Sequence, residues 1–383
     1  MFDFVLALKL TAQTFSLKKD SLRYPGGKRI LSAFFILPSF FVLIIINRIF
    51  MLADWLLFPG FRKMKLKKAG FIIGVPRSAT TYLFNILAQD TKHFTCFKLW
   101  EIIFAPSVIQ KYIFSGIIKT DRFFGKPLYH FSLWLDKIFF SKISKLHKFS
   151  LSQAEEDEML LVYAFSSMYL TFFFPGVPAL DPHLFFDENI SLQKRKKIML
   201  FYKRCVQRHV YVFDRKEEKI YLSKNPCFIS KIVSVAETFP TANLIYMLRS
   251  PLKTIPSTIS LNANIYSVFS GEINENPFAE KTTGVIIHWY KAANDAIKKY
   301  WDNRNIIVPF KKITCQPEIT IYDVYRFLKI EPGTLMQTLL SNEQHIAIGY
   351  KSSHKYKEQD ATIENEIALQ LDFILNGKYK DEI

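Results

Sequence analysis

The stretch Phe71–Leu83, FIIGVPRSATTYL, sets one guanidinium and three hydroxyls, on Arg77, Ser78, Thr80 and Thr81, between an apolar run and a helical pattern. Groups of these types can satisfy several anionic oxygens at once. The stretch is close to the phosphate loop G-x-x-x-x-G-K-[ST] and departs from it twice. Counting from Gly74, Ala79 stands where the second glycine belongs, and Thr80 replaces the lysine that grips a terminal phosphate. A loop of this plan without that lysine should hold a different anion. An ordinary strand-to-helix turn with Ser and Thr as caps is the alternative.

A second candidate lies in RSPLKTIPS, where Arg249 follows an apolar run and Ser257 comes eight residues later. Pro251 is suited to the first turn of a helix, which brings Ser257 near the second turn and toward the end of the run. Arg with Ser is a natural pair for one more phosphate. Two such sites imply a ligand with phosphate at two separated points.

Other groups are candidates for proton transfer or charge stabilisation. Glu101, in FKLWEIIFAP, is an isolated acid among aromatic and aliphatic residues, a setting that raises a carboxyl pKa toward that of a general base. An exposed helix-end carboxylate is the equal alternative. Glu155, Glu156, Asp157 and Glu158 are a rival source, although four adjacent acids cannot all face one cleft and solvated charge is the default. Lys224 ends a predicted strand and is a candidate to reach the transferred group, against the ordinary reading of a surface lysine. His354 and Tyr356, in SSHKY, are candidates to reach a bound ligand or cap the site.

These residues need a scaffold. FIIGV, IYLSKNP, NLIYMLR and NIIVPF read as buried strands, and TTYLFNILAQD, FISKIVSVAETF and GVIIHWYKAANDAIKKYW as helices. The alternation predicts an α/β fold, a P-loop-like parallel sheet flanked by helices. A strand, a loop and a helix N-terminus in sequence converge backbone N–H groups on an anion. Between about residues 97 and 212, EEDEMLLVYAFSSMYL and LQKRKKIMLFYKRCVQRHVYVF are helical by pattern, so this stretch reads as a helical insertion.

The front of the chain differs. Residues 30–46, ILSAFFILPSFFVLIII, carry no charge, follow Lys28-Arg29 and precede Arg48; IFMLADWLLFPGF and a basic run from Arg62 to Lys68 come next. A spanning helix needs about 20 apolar residues. The run suits an anchor or a segment lying in the bilayer interface, and a buried core helix is the alternative. The expected organisation is therefore a membrane-associated segment over residues 1–68 and an α/β domain over 69–383, with lipid contact through about 30–58.

The 383 residues carry a formal net charge of +17, which favours either anionic partners or a solvated lysine-rich surface. No nucleic-acid module is recognisable. Cysteines 96, 205, 227 and 315 share no close spacing, so neither a zinc site nor a disulfide framework is expected, and no metal is called for.

With those residues in view, the chain resembles the sulfotransferases that use 3′-phosphoadenosine 5′-phosphosulfate. VPRSATTYL is similar to their 5′-phosphosulfate loop, usually written with PRSGTT, and YMLRSPLKTIPS to their 3′-phosphate motif. LADWLLFPGF, QAEEDE, LSKNP, FPTANLIYMLR and SHKY resemble landmarks of a membrane-associated branch, and the likeness covers about Leu52 to Leu375. The resemblance implies that Arg77, Ser78, Thr80 and Thr81, with the backbone at Ala79, hold the 5′ side of the donor. It implies that Arg249 and Ser257 hold the 3′-phosphate and that His354 reaches the donor. Arg77 and the loop amides would stabilise the leaving group, Lys224 would point towards the sulfate, and Glu101 would be the base. Sulfuryl transfer to a hydroxyl or amine, on an unidentified lipid or carbohydrate acceptor, is the implied activity. A bacterial enzyme would work at the cytoplasmic face of a membrane, a eukaryotic one in the Golgi.

Ala79 in place of glycine is the departure. If the backbone there is left-handed, the methyl costs on the order of 1 kcal/mol; if it is helical, little. A catalytically weak or inactive nucleotide-binding membrane protein is the resulting alternative. A nucleotide kinase or triphosphatase would need the loop lysine and an acidic metal ligand on a later strand, and neither arrangement is present in the sequence.

Overall fold

A computed structural model of the chain describes residues 3–14, 27–140, 150–174, 177–270, 275–349 and 361–383. Its centre is a sheet of five parallel strands in the order β2-β3-β1-β4-β5. The strands are β1 (Ala69–Gly74), β2 (Phe94–Thr95), β3 (Ile220–Lys224), β4 (Asn243–Leu248) and β5 (Asn305–Pro309). β1 pairs with β3 on one side, Ile72 opposite Lys224, and with β4 on the other, Gly74 opposite Met247.

All six residues of β1 are buried because helices cover both faces of the sheet. Side-chain alternation divides the core in two. Phe71, Ile73, Tyr221, Leu244 and Tyr246 face a large cluster, and Ile72, Leu222, Ile245 and Met247 face a smaller one. Gly74 closes β1 where only glycine fits: a Cβ there would lie 2.5 Å from the Met247 carbonyl oxygen and 2.9 Å from its Cβ.

Four of the five strands lie where the apolar runs predicted them. β2 was not anticipated, since two residues carry no periodicity. Among the described residues, the segment between β2 and β3 is mainly helices and turns, including Leu99–Phe104, Val108–Phe123, Pro127–Phe140 and Leu192–Phe213, with an isolated antiparallel bridge between Lys98 and Ala154. The helix expected over EEDEMLLVYAFSSMYL is corrected to a 3₁₀ turn, Asp157–Ala164, and a short helix, Leu170–Phe173. Phe165 breaks it by adopting a left-handed conformation, φ 51°. The acids at its start turn inward rather than into solvent.

The N-terminal apolar run forms one long helix, Gly27–Leu57, with Pro38 inside it. By length and composition alone its Leu37–Leu57 portion can cross a bilayer. Within the structure Ile44 and Met51 of this helix, and Phe61 after it, join the same core as Phe71 and Tyr246.

Candidate active site

Strand order reverses at β1: the chain leaves it for β2 and β3 on one side and reaches β4 and β5 on the other. In open parallel sheets the crevice at such a point, beyond the carboxyl ends of the strands, is where ligands bind. Arg77–Thr81 leave the end of β1, Lys224 ends β3, Arg249 follows β4, and Phe310 follows β5. The fold thus gathers at one sheet edge residues far apart in sequence.

The loop itself is strained. Arg77 (φ 71°) and Ala79 (φ 65°, ψ 18°) both take positive φ on either side of Ser78. Left-handed non-glycine residues cost about 1 kcal/mol or more each and tend to collect at functional sites. Of the two conformations open to Ala79, the structure has the costly one. The helix Thr80–Leu87 begins directly afterwards, so its first N–H groups have no acceptor within the helix. Ser78 is fully buried, and its hydroxyl has no hydrogen-bond partner. A buried hydroxyl without a partner costs about 1–3 kcal/mol, which an anion seated in the loop would recover.

The two motifs meet in space. Arg77 Nε donates to Ser257 Oγ at 3.1 Å, and Arg249 Nη1 donates to the Arg77 carbonyl oxygen at 2.6 Å. Thr258 Oγ1 donates to the Pro76 carbonyl at 3.4 Å. The Arg249 guanidinium lies 4.0 Å from the centre of the Phe310 ring, an orienting cation–π contact. Tyr290 holds the backbone behind it, its hydroxyl donating to the Arg249 carbonyl at 2.6 Å. The two segments, expected to stand apart, are thus in contact: Arg77 reaches across to Ser257. Phe310 and Tyr290 were not singled out from sequence, although Phe310 stands directly after a strand and could have been.

On the other flank Lys224 is buried, with Nζ 2.5 Å from Glu156 Oε1, 3.3 Å from Thr81 Oγ1 and 4.0 Å from Glu155 Oε1. Thr81 follows β1 and Lys224 ends β3, and the Lys224 ammonium joins Thr81 to Glu156. The acidic cluster divides by direction. Asp157 is enclosed by Tyr202, Tyr221, Ser223 and Asn225, and burial raises its carboxyl above the usual range against those hydrogen bonds. Glu158 pairs with Lys231 at 3.1 Å and accepts from Ser167 at 2.5 Å, again with its pKa raised by burial. The expectation that most of this cluster is solvated is corrected: Glu155, Asp157 and Glu158 are buried and Glu156 is partly so.

Glu101 has partners of its own. It is buried, with Oε2 2.8 Å from His209 Nδ1 and 3.2 Å from Lys111 Nζ, and Oε1 accepts from the Lys98 N–H at 3.2 Å. His209 Nε2 in turn meets Thr95 Oγ1 at 2.8 Å. Burial alone would raise the Glu101 carboxyl, but His209 and Lys111 outweigh it and hold the pKa below the usual value. This corrects the expectation of an isolated acid with a raised pKa; the neighbours that reverse it are Lys111 on the next helix and His209 on a helix distant in sequence. His354 and Tyr356 lie outside the described residues.

Residues 71–332 match the model of the sulfotransferase family. Among solved structures the chain is similar to sulfotransferase STF9 from Mycobacterium avium, with a TM-score of 0.70 at 15% identity, over 98% of this chain and 95% of that one. It is also similar to sulfotransferase STF1 from Mycobacterium tuberculosis H37Rv, with a TM-score of 0.67 at 18% identity, over 96% of this chain and 91% of that one. At such identities the structural likeness concerns the fold. Among curated proteins nothing matches. The family model spans well over half of the chain and includes both the Arg77–Thr81 loop and the Arg249–Ser257 segment, so this chain belongs to the sulfotransferase family.

Proposed function

We propose that the protein transfers a sulfuryl group from 3′-phosphoadenosine 5′-phosphosulfate to a hydroxyl or amine of its acceptor. The observation that carries this reading is the buried, unpartnered Ser78 hydroxyl in a loop whose Arg77 is tied to Ser257 and Arg249. Ser78, Thr80, Thr81 and the loop N–H groups suit the 5′ end of the donor. Arg249, Ser257 and the far side of Arg77 suit the 3′-phosphate, with the Phe310 ring fixing the Arg249 plane. The donor carries phosphate at both points, as the linked pair of motifs requires.

In the proposed step an acceptor oxygen or nitrogen forms a bond to sulfur while the bond from sulfur to the bridging oxygen breaks. The electron pair leaves with the nucleotide phosphate. Lys224 and Arg77 would carry charge compensation for that phosphate. The acceptor proton would pass to a carboxylate, and Glu156 has the better claim because it already contacts Lys224 beside Thr81. Glu101 is engaged by His209 and Lys111 and would act through packing. The acceptor is of the lipid or carbohydrate class, and the site of action is a membrane surface.

Formation of 3′-phosphoadenosine 5′-phosphate from the donor, in the presence of a mixed pool of alcohols and amines, tests the reading. Acceptor-dependent product from the native chain, abolished by Lys224→Ala, is expected. Donor binding with no product under any acceptor would favour a second reading, a catalytically silent nucleotide-binding protein. The left-handed Ala79 is the observation on that side.

A further inference from the structure

The helix Gly27–Leu57 is built inside out for a soluble protein. Ile44, Asn47, Met51 and Asp54 recur on one face and are buried. Asp54 pairs with the buried Arg208 at 2.7 Å and accepts from the N–H groups of Val108 and Ile109 at 2.9 and 3.2 Å. Asn47 donates to the Ile103 carbonyl and accepts from Gln110. Arg48 donates to the Tyr163 carbonyl at 2.6 Å. The polar groups of the helix therefore point into the protein. The opposite face, Val42, Ile45, Ile49, Leu52 and Leu56 at heptad spacing, is exposed, Leu52 to 68% and Leu56 to 84%.

The apolar surface does not end with this helix. Val108–Phe123 packs against it and Pro127–Phe140 packs against Val108–Phe123. The first of these exposes Ile113, Ile117 and Phe123; the second exposes Leu128, Phe131 and Trp134. Exposed apolar surface spread over adjacent helices marks an interaction site. Charge identifies the partner. The three carboxylates in residues 37–68 and 99–134, Asp54, Glu101 and Asp121, are all buried. The exposed lysines and arginines there are Lys119 and Arg122 on the second helix, Lys126 in the turn before the third, and Arg62, Lys63, Lys65, Lys67 and Lys68 after the first. Trp55, Trp134, Tyr112 and Tyr129 supply amphipathic rings of the kind that settle at the headgroup level.

We infer that these three helices form one docking face that lies in the surface of an anionic phospholipid bilayer, entering one leaflet without crossing it. A crossing would pull Asn47, Arg48 and Asp54 out of their buried contacts and carry them into hydrocarbon, while leaving the apolar surface of the other two helices uncovered. Lying in the interface covers all three and keeps every ion pair. The inference is independent of the donor and of the chemistry proposed above.

Flotation of the purified full chain with vesicles of phosphatidylcholine and phosphatidylglycerol at 3:1, and of phosphatidylcholine alone, is the test. Two exposed pairs are altered separately, Ile49→Glu with Leu52→Glu and Phe123→Glu with Phe131→Glu, and thermal melts establish that each variant is folded. The native chain is expected to float with the anionic vesicles at least tenfold more than with the neutral ones, to be released by alkaline carbonate, and to lose at least tenfold in binding in both variants. Resistance to carbonate, with binding sensitive only to the first pair, would mean that the long helix spans and would overturn the inference. So would absence of flotation in a chain that self-associates until either pair is changed, since a second copy would then cover the face.

Discussion

At the scale of the residue, the site combines strain with an unmet hydrogen bond. The Ala79 methyl sits on a left-handed backbone, φ 65°. Ala79→Gly should therefore raise unfolding free energy in urea by about 1 kcal/mol, against the usual direction for an added glycine. The two candidate acids separate by what each change damages. Glu156→Gln should lower kcat by roughly 10²–10⁴-fold, the general contribution of a base, while the melting temperature stays within a few degrees. Glu101→Gln should instead destabilise by about 3–5 kcal/mol, because it leaves Lys111 buried beside an uncharged partner. The sign of its pH dependence follows from the lowered carboxyl pKa. The stabilisation from Glu101 is complete above its ordinary value of 4.5 and is lost as pH falls through the lower folded value. Acid unfolding of the Gln variant should lack that part of the slope. The Arg and Ser of both motifs were legible because their positions follow from strand and helix starts. The engagement of Glu101 was not, since His209 lies more than a hundred positions away and no local spacing encodes the pair.

At the scale of the element, strand ends and the long helix carry the account. β1 and β4 approach so closely at Gly74 that an added Cβ meets the Met247 backbone. Gly74→Ala should cost about 1–3 kcal/mol by overpacking, read in the denaturation midpoint, and should weaken nucleotide binding by displacing the loop that follows. The helix Gly27–Leu57 is held by Arg208, which bonds Asp54 and also donates to the Met51 carbonyl at 2.9 Å. Arg208→Ala should cost about 3–5 kcal/mol, since it strands a buried carboxylate. Limited proteolysis should then cut the helix before the sheet. Continuous apolar runs made β1, β3, β4 and β5 readable. β2 is too short to leave a pattern, and the 3₁₀ turn at Asp157–Ala164 arises from long-range contacts of its acids with Tyr221, Asn225 and Lys231. The apolar N-terminal helix was visible as a helix, but its polar contacts with Val108–Phe123 and Arg208 were not.

At the scale of the whole molecule, the chain carries a net charge of +17, and part of its basic side chains gather in two places: a crevice with Arg77, Arg249 and Lys224, and an apolar face rimmed by lysine and arginine. Composition alone left open whether that charge was functional or merely solvating. Burial of the neighbouring carboxylates gives it direction. Both features favour anions, which are in our proposals a nucleotide at the strand ends and lipid headgroups at the helices. Binding at both should weaken as ionic strength rises, more steeply at the exposed face than in the partly buried crevice. The central claim is that one ligand bridges the loop after β1 and the Arg–Ser pair after β4. Calorimetric titration with 3′-phosphoadenosine 5′-phosphate, beside Arg77→Ala and Arg249→Ala, tests it most directly. The account predicts one site per chain on the native protein and a loss of at least tenfold in affinity in each variant. No binding to the folded native chain, or binding indifferent to both arginines, would contradict it.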